Sequence, residues 1–161
     1  MRELILVAFY WLHILATVIW IGGIAFILFI AIPSAKQVLG VEAGKLMGEI
    51  SKRFTPLANY SIILLVVTGI ILTGLNKQFL GIGILGNNWA LILTLKHILV
   101  LGMIAIHLYR GLVLTPKISR TASSTQKTSL QKLSLNLIKV NFVLGTMVLL
   151  LSGITSVLKG S

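Results

Sequence analysis

The chain contains no cysteine and only three acidic residues. Without cysteine it cannot form disulfides, thiolate metal sites, cysteine-ligated iron–sulfur clusters or covalently attached haem. Charged residues make up 11% of the sequence, whereas soluble domains carry about 25%. Lipid must therefore be the solvent for most of the surface of this protein.

The sequence consists largely of long apolar runs. The sequence is 57% hydrophobic and its mean hydropathy is +1.02. Four runs reach the ~20 residues that a transmembrane helix needs, and the first is too long for a cleaved signal peptide. We predict an all-α fold, a single transmembrane domain over residues 1–161 that forms an up-down-up-down four-helix bundle, with no evident internal repeat. The predicted spans are about residues 4–32, 57–75, 89–115 and 135–158.

The segments between the spans follow from proline, glycine and helical spacing. Pro33 and Pro116 are predicted to end the first and third spans, and Pro56 to lie in the first turn of the second. Residues 34–56 alternate in a way typical of a short interfacial helix. Residues 76–88 are rich in Gly and Asn and are predicted to form a loop.

The net charge of +11 comes from fourteen Lys and Arg residues. Ten of them lie in or beside the loops 34–56 and 116–134, and only three lie at the termini or in the second connection. The positive-inside rule therefore places both basic loops in the cytoplasm and both termini outside, in the plasma membrane. No basic groove with interleaved aromatic residues is present, so we expect anionic lipid rather than nucleic acid as the partner of these charges.

A few ionisable side chains lie within the predicted spans, where they are costly and usually functional. They are His13 in the first span and Lys96, His97 and His107 in the third, with Arg110 nearer the cytoplasmic edge.

Depth matches two of these histidines. His13 precedes Pro33 by 20 residues and His97 precedes Pro116 by 19. At ~1.5 Å per residue both lie ~30 Å from the cytoplasmic ends of their spans. Two imidazoles at one depth suit a single b-type haem iron.

The angular positions of these residues around the third helix group a different set of side chains on one face. Lys96 and His107 are separated by nearly three turns, so they share one face with Met103 and Arg110, and His97 lies about a quarter-turn away. Lys96 or His107 are therefore alternative iron ligands, and Arg110 would bind a haem propionate or an anionic lipid. A copper site is the alternative, although His97 and His107 cannot meet at one ion. Packing alone would also account for these residues.

Several stretches resemble known families. Residues 11–23, WLHILATVIWIGG, resemble the first span of the copper resistance protein D (CopD) family, as do residues 51–57, SKRFTPL, and the span ending LVVTG at 65–69. The third-span pattern also resembles that of the HemJ-type protoporphyrinogen oxidases. The resemblance implies a four-helix membrane module that binds b-type haem in one branch and handles copper in the other. The site residues that it implies are His13, Lys96 and His107.

These observations favour a membrane protein that binds haem b and acts in electron transfer or in small-substrate oxidation. It would exchange electrons with a quinone or another membrane redox partner, or act as a haem-dependent oxidoreductase resembling protoporphyrinogen oxidase. The alternative is a copper transport or resistance module. A third hypothesis is a cofactor-free subunit of a homo-oligomer or larger membrane complex.

Overall fold

The computed structural model describes residues 1–75 and 88–160, and within these ranges it contains helices and no strand. The all-α prediction is confirmed. The predicted loop 76–88 lies outside the described residues except for its last residue. The long helices are α1 (Arg2–Phe26), α3 (Ala43–Gly74), α4 (Asn88–Tyr109) and α6 (Ser124–Gly160), and the short ones are α2 (Ile32–Leu39) and α5 (Thr115–Arg120).

The protein is a multi-pass membrane protein. Three helical runs in the described residues are long and apolar enough to cross a membrane: Glu3–Gly74, Ala90–Arg120 and Ser124–Val157. Their large apolar side chains are widely exposed, as lipid contact requires. The chain divides into two compact units, Met1–Phe79 and Leu80–Ser161, called unit 1 and unit 2 below.

Unit 1 is a helical hairpin. Its 72-residue helical run, Glu3–Gly74, folds back at Gly40, whose φ of 51° is one that residues with a Cβ rarely adopt. Helices α1 and α3 pack against each other in antiparallel directions, since His13 contacts Thr68 and the backbone of Gly23 faces the ring of Phe54.

The buried face of α1 follows helical spacing. Ala16, Trp20 and Ile24 recur every four residues and are only 1%, 2% and 5% exposed. His13 lies three residues before Ala16, so this buried stripe adjoins the histidine on α1.

Unit 2 is a second hairpin. Helices α4 and α6 pack against each other, and the side-chain Nε of Arg110, just beyond the end of α4, donates a hydrogen bond of 3.2 Å to the hydroxyl of Ser134 near the start of α6. Only residues 121–123 separate α5 from α6, so α4 and α6 must run in opposite directions.

Neither Pro33 nor Pro116 ends its helix, contrary to prediction. Each is the second residue of a short helix, α2 or α5, and each follows a π-helical turn, Ile27–Ala31 or Arg110–Leu114. A proline ring collides with the carbonyl four residues earlier in an α-helix. A π turn is wider, so it makes room for the ring and the chain stays helical.

Pro56 also differs from its predicted place. It lies inside α3, which begins at Ala43 rather than just before the proline. The predicted separate interfacial helix over residues 34–56 is therefore divided between α2 and the first turns of α3. A proline inside a helix removes one backbone hydrogen bond, and the packing of α3 on α1 compensates for this loss.

The two units repeat one architecture. Each has a long helix, a five-residue π turn, a short helix with proline as its second residue, and a second long helix. The π turns and the prolines are 83 residues apart. The same offset relates His13 to Lys96 and Trp20 to Met103. The sequence alone did not reveal this internal repeat.

Candidate functional site

His13 is held by a hydroxyl from the opposite helix of unit 1. Its Nδ1 lies 2.7 Å from Oγ1 of Thr68, and Oγ1 in turn donates to the backbone oxygen of Leu64 at 2.6 Å. Thr68 is completely buried, whereas His13 is half-buried.

These two hydrogen bonds define the tautomer of His13. A carbonyl oxygen cannot donate, so the single hydroxyl hydrogen of Thr68 must point to Leu64. The short contact between Thr68 and His13 then needs the imidazole Nδ1–H as donor. In the neutral imidazole the lone pair is then on Nε2, which is the arrangement that a hydrogen-bond partner of Nδ1 imposes on metal-ligating histidines.

Small residues surround the imidazole. A methyl group at Gly69 would lie 3.6 Å from Cε1 of His13, so the glycine backbone passes beside the ring. The hydroxyl of Thr17 donates to the backbone oxygen of His13 at 2.8 Å. Ala16 is the adjacent buried residue. The His13 ring is thus held at Nδ1 by Thr68 and has small residues as neighbours on both α1 and α3.

In unit 2 the buried polar residues lie along the contact between α4 and α6. His107 is 7% exposed, Asn141 4% and Met103 only 1%. Arg110 is half-buried and is anchored to Ser134. We call these five residues the unit 2 seam.

Helical register places Met103 and Asn141 at one level. Met103 lies seven residues before Arg110, and Asn141 lies seven residues after Ser134. Seven residues are nearly two full turns, so each residue shares a face with the anchored one and lies ~10 Å from it along its helix. Because the helices are antiparallel, both displacements run in the same direction.

Asn141 has an unmatched buried acceptor. Its Oδ1 has no solvent contact and no hydrogen-bond partner in the part of the chain that the structure describes. A buried acceptor without a donor costs about 1–3 kcal/mol. Such a group is expected where a ligand supplies the missing interaction.

The other predicted site residues have different surroundings. His97 is exposed, and its Nδ1 donates to the backbone oxygen of Leu93 at 2.7 Å within its own helix. Lys96 is half-buried and shares the helical face of Met103. Within unit 2, the structure therefore brings His107 and Arg110 into the seam and leaves His97 outside it.

The pairing of His13 with a residue of the third span stays a prediction, because His13 belongs to unit 1 and Lys96, His97 and His107 to unit 2. The described residues contain no group of three or more His, Cys, Asp or Glu side chains that could hold a metal ion. Sequence reasoning missed Thr68 and Asn141. The predicted fourth span contains two Asn residues, Asn136 and Asn141, and this was the available signal for Asn141, since such residues commonly bond across helices.

A family model decides the relationship of this chain to known proteins. The model described as copper resistance protein D matches residues 48–155. The chain belongs to the copper resistance protein D family. In this member of the family, Thr68 and the unit 2 seam lie inside the matched region and His13 lies before it. The search of curated proteins and the search of solved structures gave no match.

Proposed function

We propose that this protein is a copper-handling module of the plasma membrane that moves copper or confers resistance to it. The observation that carries the proposal is membership of the copper resistance protein D family over residues 48–155. Copper is the substrate in this proposal rather than a resident cofactor.

His13 is the copper ligand that we propose in unit 1. Its Nδ1–H bond to Thr68 presents Nε2 as the coordinating atom, and neutral imidazole is a suitable copper ligand. The chain lacks cysteine, so histidine and methionine are its soft or borderline ligands.

The proposed membrane arrangement has four spans in an up-down-up-down bundle with both termini outside. Each helical hairpin supplies two spans, and the loops 34–56 and 116–134 face the cytoplasm. The distribution of Lys and Arg supports this orientation, because the first and third connections hold most of them.

The test is to measure cellular copper and the copper bound to purified protein. We expect cells that express the protein to differ in copper content from cells that lack it. The His13→Ala variant should insert into the membrane but change cellular copper by less. Unchanged copper in cells with the wild-type protein, together with no copper on the purified protein, would refute the proposal.

The second candidate function is b-type haem binding with electron transfer to a quinone or another membrane redox partner. The oriented Nε2 of His13 favours it, because a histidine that binds haem iron commonly donates its other ring N–H to a neighbouring oxygen in the same way. A reduced-minus-oxidised spectrum with iron and copper analysis distinguishes the two candidates. Sharp b-type bands lost in His13→Ala would support haem, and variants of Lys96, His97 and His107 would then identify the second ligand.

A further inference from the structure

We infer that unit 2 contains a second copper site, formed by the thioether of Met103 and the imidazole of His107, with Asn141 beside them, and selective for Cu(I). The inference rests on the proposed function, since it assumes that the protein handles copper. It uses none of the residues proposed around His13, so the two sites can be tested separately.

Met103 and His107 form a natural pair of ligands on one helix. They lie at positions i and i+4 of α4, where side chains are neighbours on the helix surface. Both are more than nine-tenths buried. Thioether sulfur is a soft ligand that selects Cu(I), and imidazole also suits copper.

Asn141 supplies the independent observation of a ligand. It lies level with Met103 on α6, and its Oδ1 is fully buried without a hydrogen-bond donor in the described ranges 1–75 and 88–160. A bound cation, or a water molecule attached to it, would satisfy this oxygen. We therefore assign Asn141 as a positioning residue of the site, whose Oδ1 accepts a hydrogen bond from a water molecule bound to the ion.

The repeat shows that this hairpin architecture does not require methionine at the level of Met103. The position equivalent to Met103 in unit 1, 83 residues earlier, is Trp20, which is equally buried. The same hairpin architecture thus accepts a bulky aromatic residue at this level. Unit 2 has a flexible thioether there, next to an imidazole one turn away.

The charge of unit 2 favours a monovalent ion. The sequence from Leu80 to Ser161 contains no Asp or Glu. Lys96 and Arg110 lie about two turns from Met103 on either side of it along one face of α4. Divalent ions such as Mg²⁺ and Ca²⁺ prefer carboxylate oxygens, and these cations would repel them about twice as strongly as a monovalent ion. A soft monovalent ion needs neither carboxylate nor high negative charge.

A sulfur ligand of copper can be assigned to Met103, because Met103 is the one of the four methionines that is deeply buried. Met1 and Met147 are exposed, Met47 is half-buried, and the chain has no cysteine. A sulfur atom bound to copper can therefore come only from methionine, and exposed methionines can be removed without disturbing the core.

The experiment is a titration of detergent-purified protein with Cu(I) in competition with a chromophoric Cu(I) chelator. The test variants are Met103→Leu, His107→Ala and Asn141→Leu. The matched controls are Met147→Leu on the exposed face of α6 and Leu101→Ala on the exposed face of α4. Zn²⁺ is titrated in parallel to measure selectivity, and His13→Ala reports the site of unit 1.

We expect Asn141→Leu to weaken Cu(I) binding at the unit 2 site by roughly 10–100-fold, which is the usual effect of losing a hydrogen-bond partner of a metal site. Met103→Leu and His107→Ala should weaken Cu(I) binding at this site at least as much. Both controls should bind as the wild type does. Wild-type affinity in Met103→Leu and His107→Ala would overturn the unit 2 site. If His13→Ala nevertheless bound less copper than the wild type, the proposed function would stand without the unit 2 site. Absence of any Cu(I) binding to wild-type protein would refute the unit 2 site, and together with unchanged cellular copper it would refute the proposed function.

A spectroscopic measurement keeps the inference testable where a buried variant fails to fold. Copper X-ray absorption is recorded on protein with Met47→Leu and Met147→Leu, both outside the buried core. We expect a sulfur neighbour together with nitrogen or oxygen neighbours. A copper shell of nitrogen and oxygen alone would overturn the assignment of Met103.

Discussion

Thr68 shows how a single hydroxyl sets the chemistry of a histidine 55 positions away in sequence. The hydroxyl bonds its own helix at Leu64 and at the same time accepts the Nδ1–H of His13. Because Thr68 is fully buried, water cannot replace it in either role. The orientation of His13 thus depends on a residue that is not itself a ligand.

Replacing Thr68 by valine keeps the shape of the side chain and removes the hydroxyl. We expect Thr68→Val to weaken metal binding at His13 by roughly 10–100-fold, because the tautomer and ring orientation are no longer fixed. Copper or haem content of the purified variant measures the effect.

Two variants control this prediction. Thr68→Ser restores the hydroxyl and should recover most of the binding. Thr94→Val removes a hydroxyl that donates to the backbone oxygen of Ala90 within its own helix, and it should leave binding unchanged. Equal losses in Thr68→Val and Thr94→Val would mean that the hydroxyl acts through general stability.

Gly23 is a second residue whose identity is dictated by a contact. A methyl group there would overlap the ring of Phe54 on α3, so the ring or the helix would have to move. Overpacking of this kind costs about 1–3 kcal/mol. We expect Gly23→Ala to lower the thermal unfolding midpoint of the protein in detergent by several degrees.

The neighbouring glycine provides the control for Gly23. A methyl group at Gly22 would meet no atom within 4 Å, so Gly22→Ala should unfold at the wild-type temperature or above it. A double variant with Phe54→Leu should recover part of the loss in Gly23→Ala. A wild-type midpoint for Gly23→Ala would contradict this packing.

At the scale of the element, the turn between α2 and α3 depends on Gly40. Its φ of 51° and ψ of −115° are accessible to glycine and strained for other residues. We expect Gly40→Ala to destabilise unit 1 by about 1–3 kcal/mol. Thermal unfolding measured by tryptophan fluorescence reports the change.

Gly48 is the matched position within the same hairpin. It lies inside α3, and an added methyl group would touch nothing within 4 Å. Gly48→Ala should stabilise the helix by up to ~1 kcal/mol, since alanine is the better helix former. Equal effects of the two substitutions would show that backbone conformation at Gly40 is unimportant.

The helices were largely predictable from hydrophobic periodicity, and their ends were not. The runs that became α1, α3, α4 and α6 are visible because apolar residues dominate them. The proline rule failed at Pro33 and Pro116 because a π turn before each one accommodates the ring. Such turns have no simple sequence signal, so the continuation of the helices could not be foreseen.

The candidate sites were predictable in part. Burial of His107 follows from its position on a polar stripe of an apolar span, and a sequence can show this. The partnership of His13 with Thr68 depends on the antiparallel register that Gly40 sets between two helices. Register is a tertiary property, and single-sequence periodicity does not contain it.

At the scale of the whole molecule, the proposed topology can be tested because the chain has no cysteine. Single cysteines introduced as Glu3→Cys and Ser129→Cys replace exposed residues at opposite ends of the proposed bundle. We expect a membrane-impermeant maleimide to label Glu3→Cys in intact cells and Ser129→Cys only after permeabilisation. Three proposed spans separate these positions.

The reverse labelling pattern would invert the proposed orientation. Labelling of both positions from outside would require an even number of spans between them and would contradict the four-span arrangement. A cysteine at Ser124 provides a second reporter in the same basic loop, and it should behave as Ser129→Cys does.

The 83-residue repeat gives the protein two copies of one hairpin with different contents. Equivalent positions hold histidine and lysine at 13 and 96, and tryptophan and methionine at 20 and 103. The same hairpin architecture therefore tolerates different residues at equivalent positions, which a bundle of unrelated helices could not show. Each hairpin can therefore serve as a comparison for the other. Substituting at one position the residue found at its equivalent 83 positions away would show which of these differences the function requires.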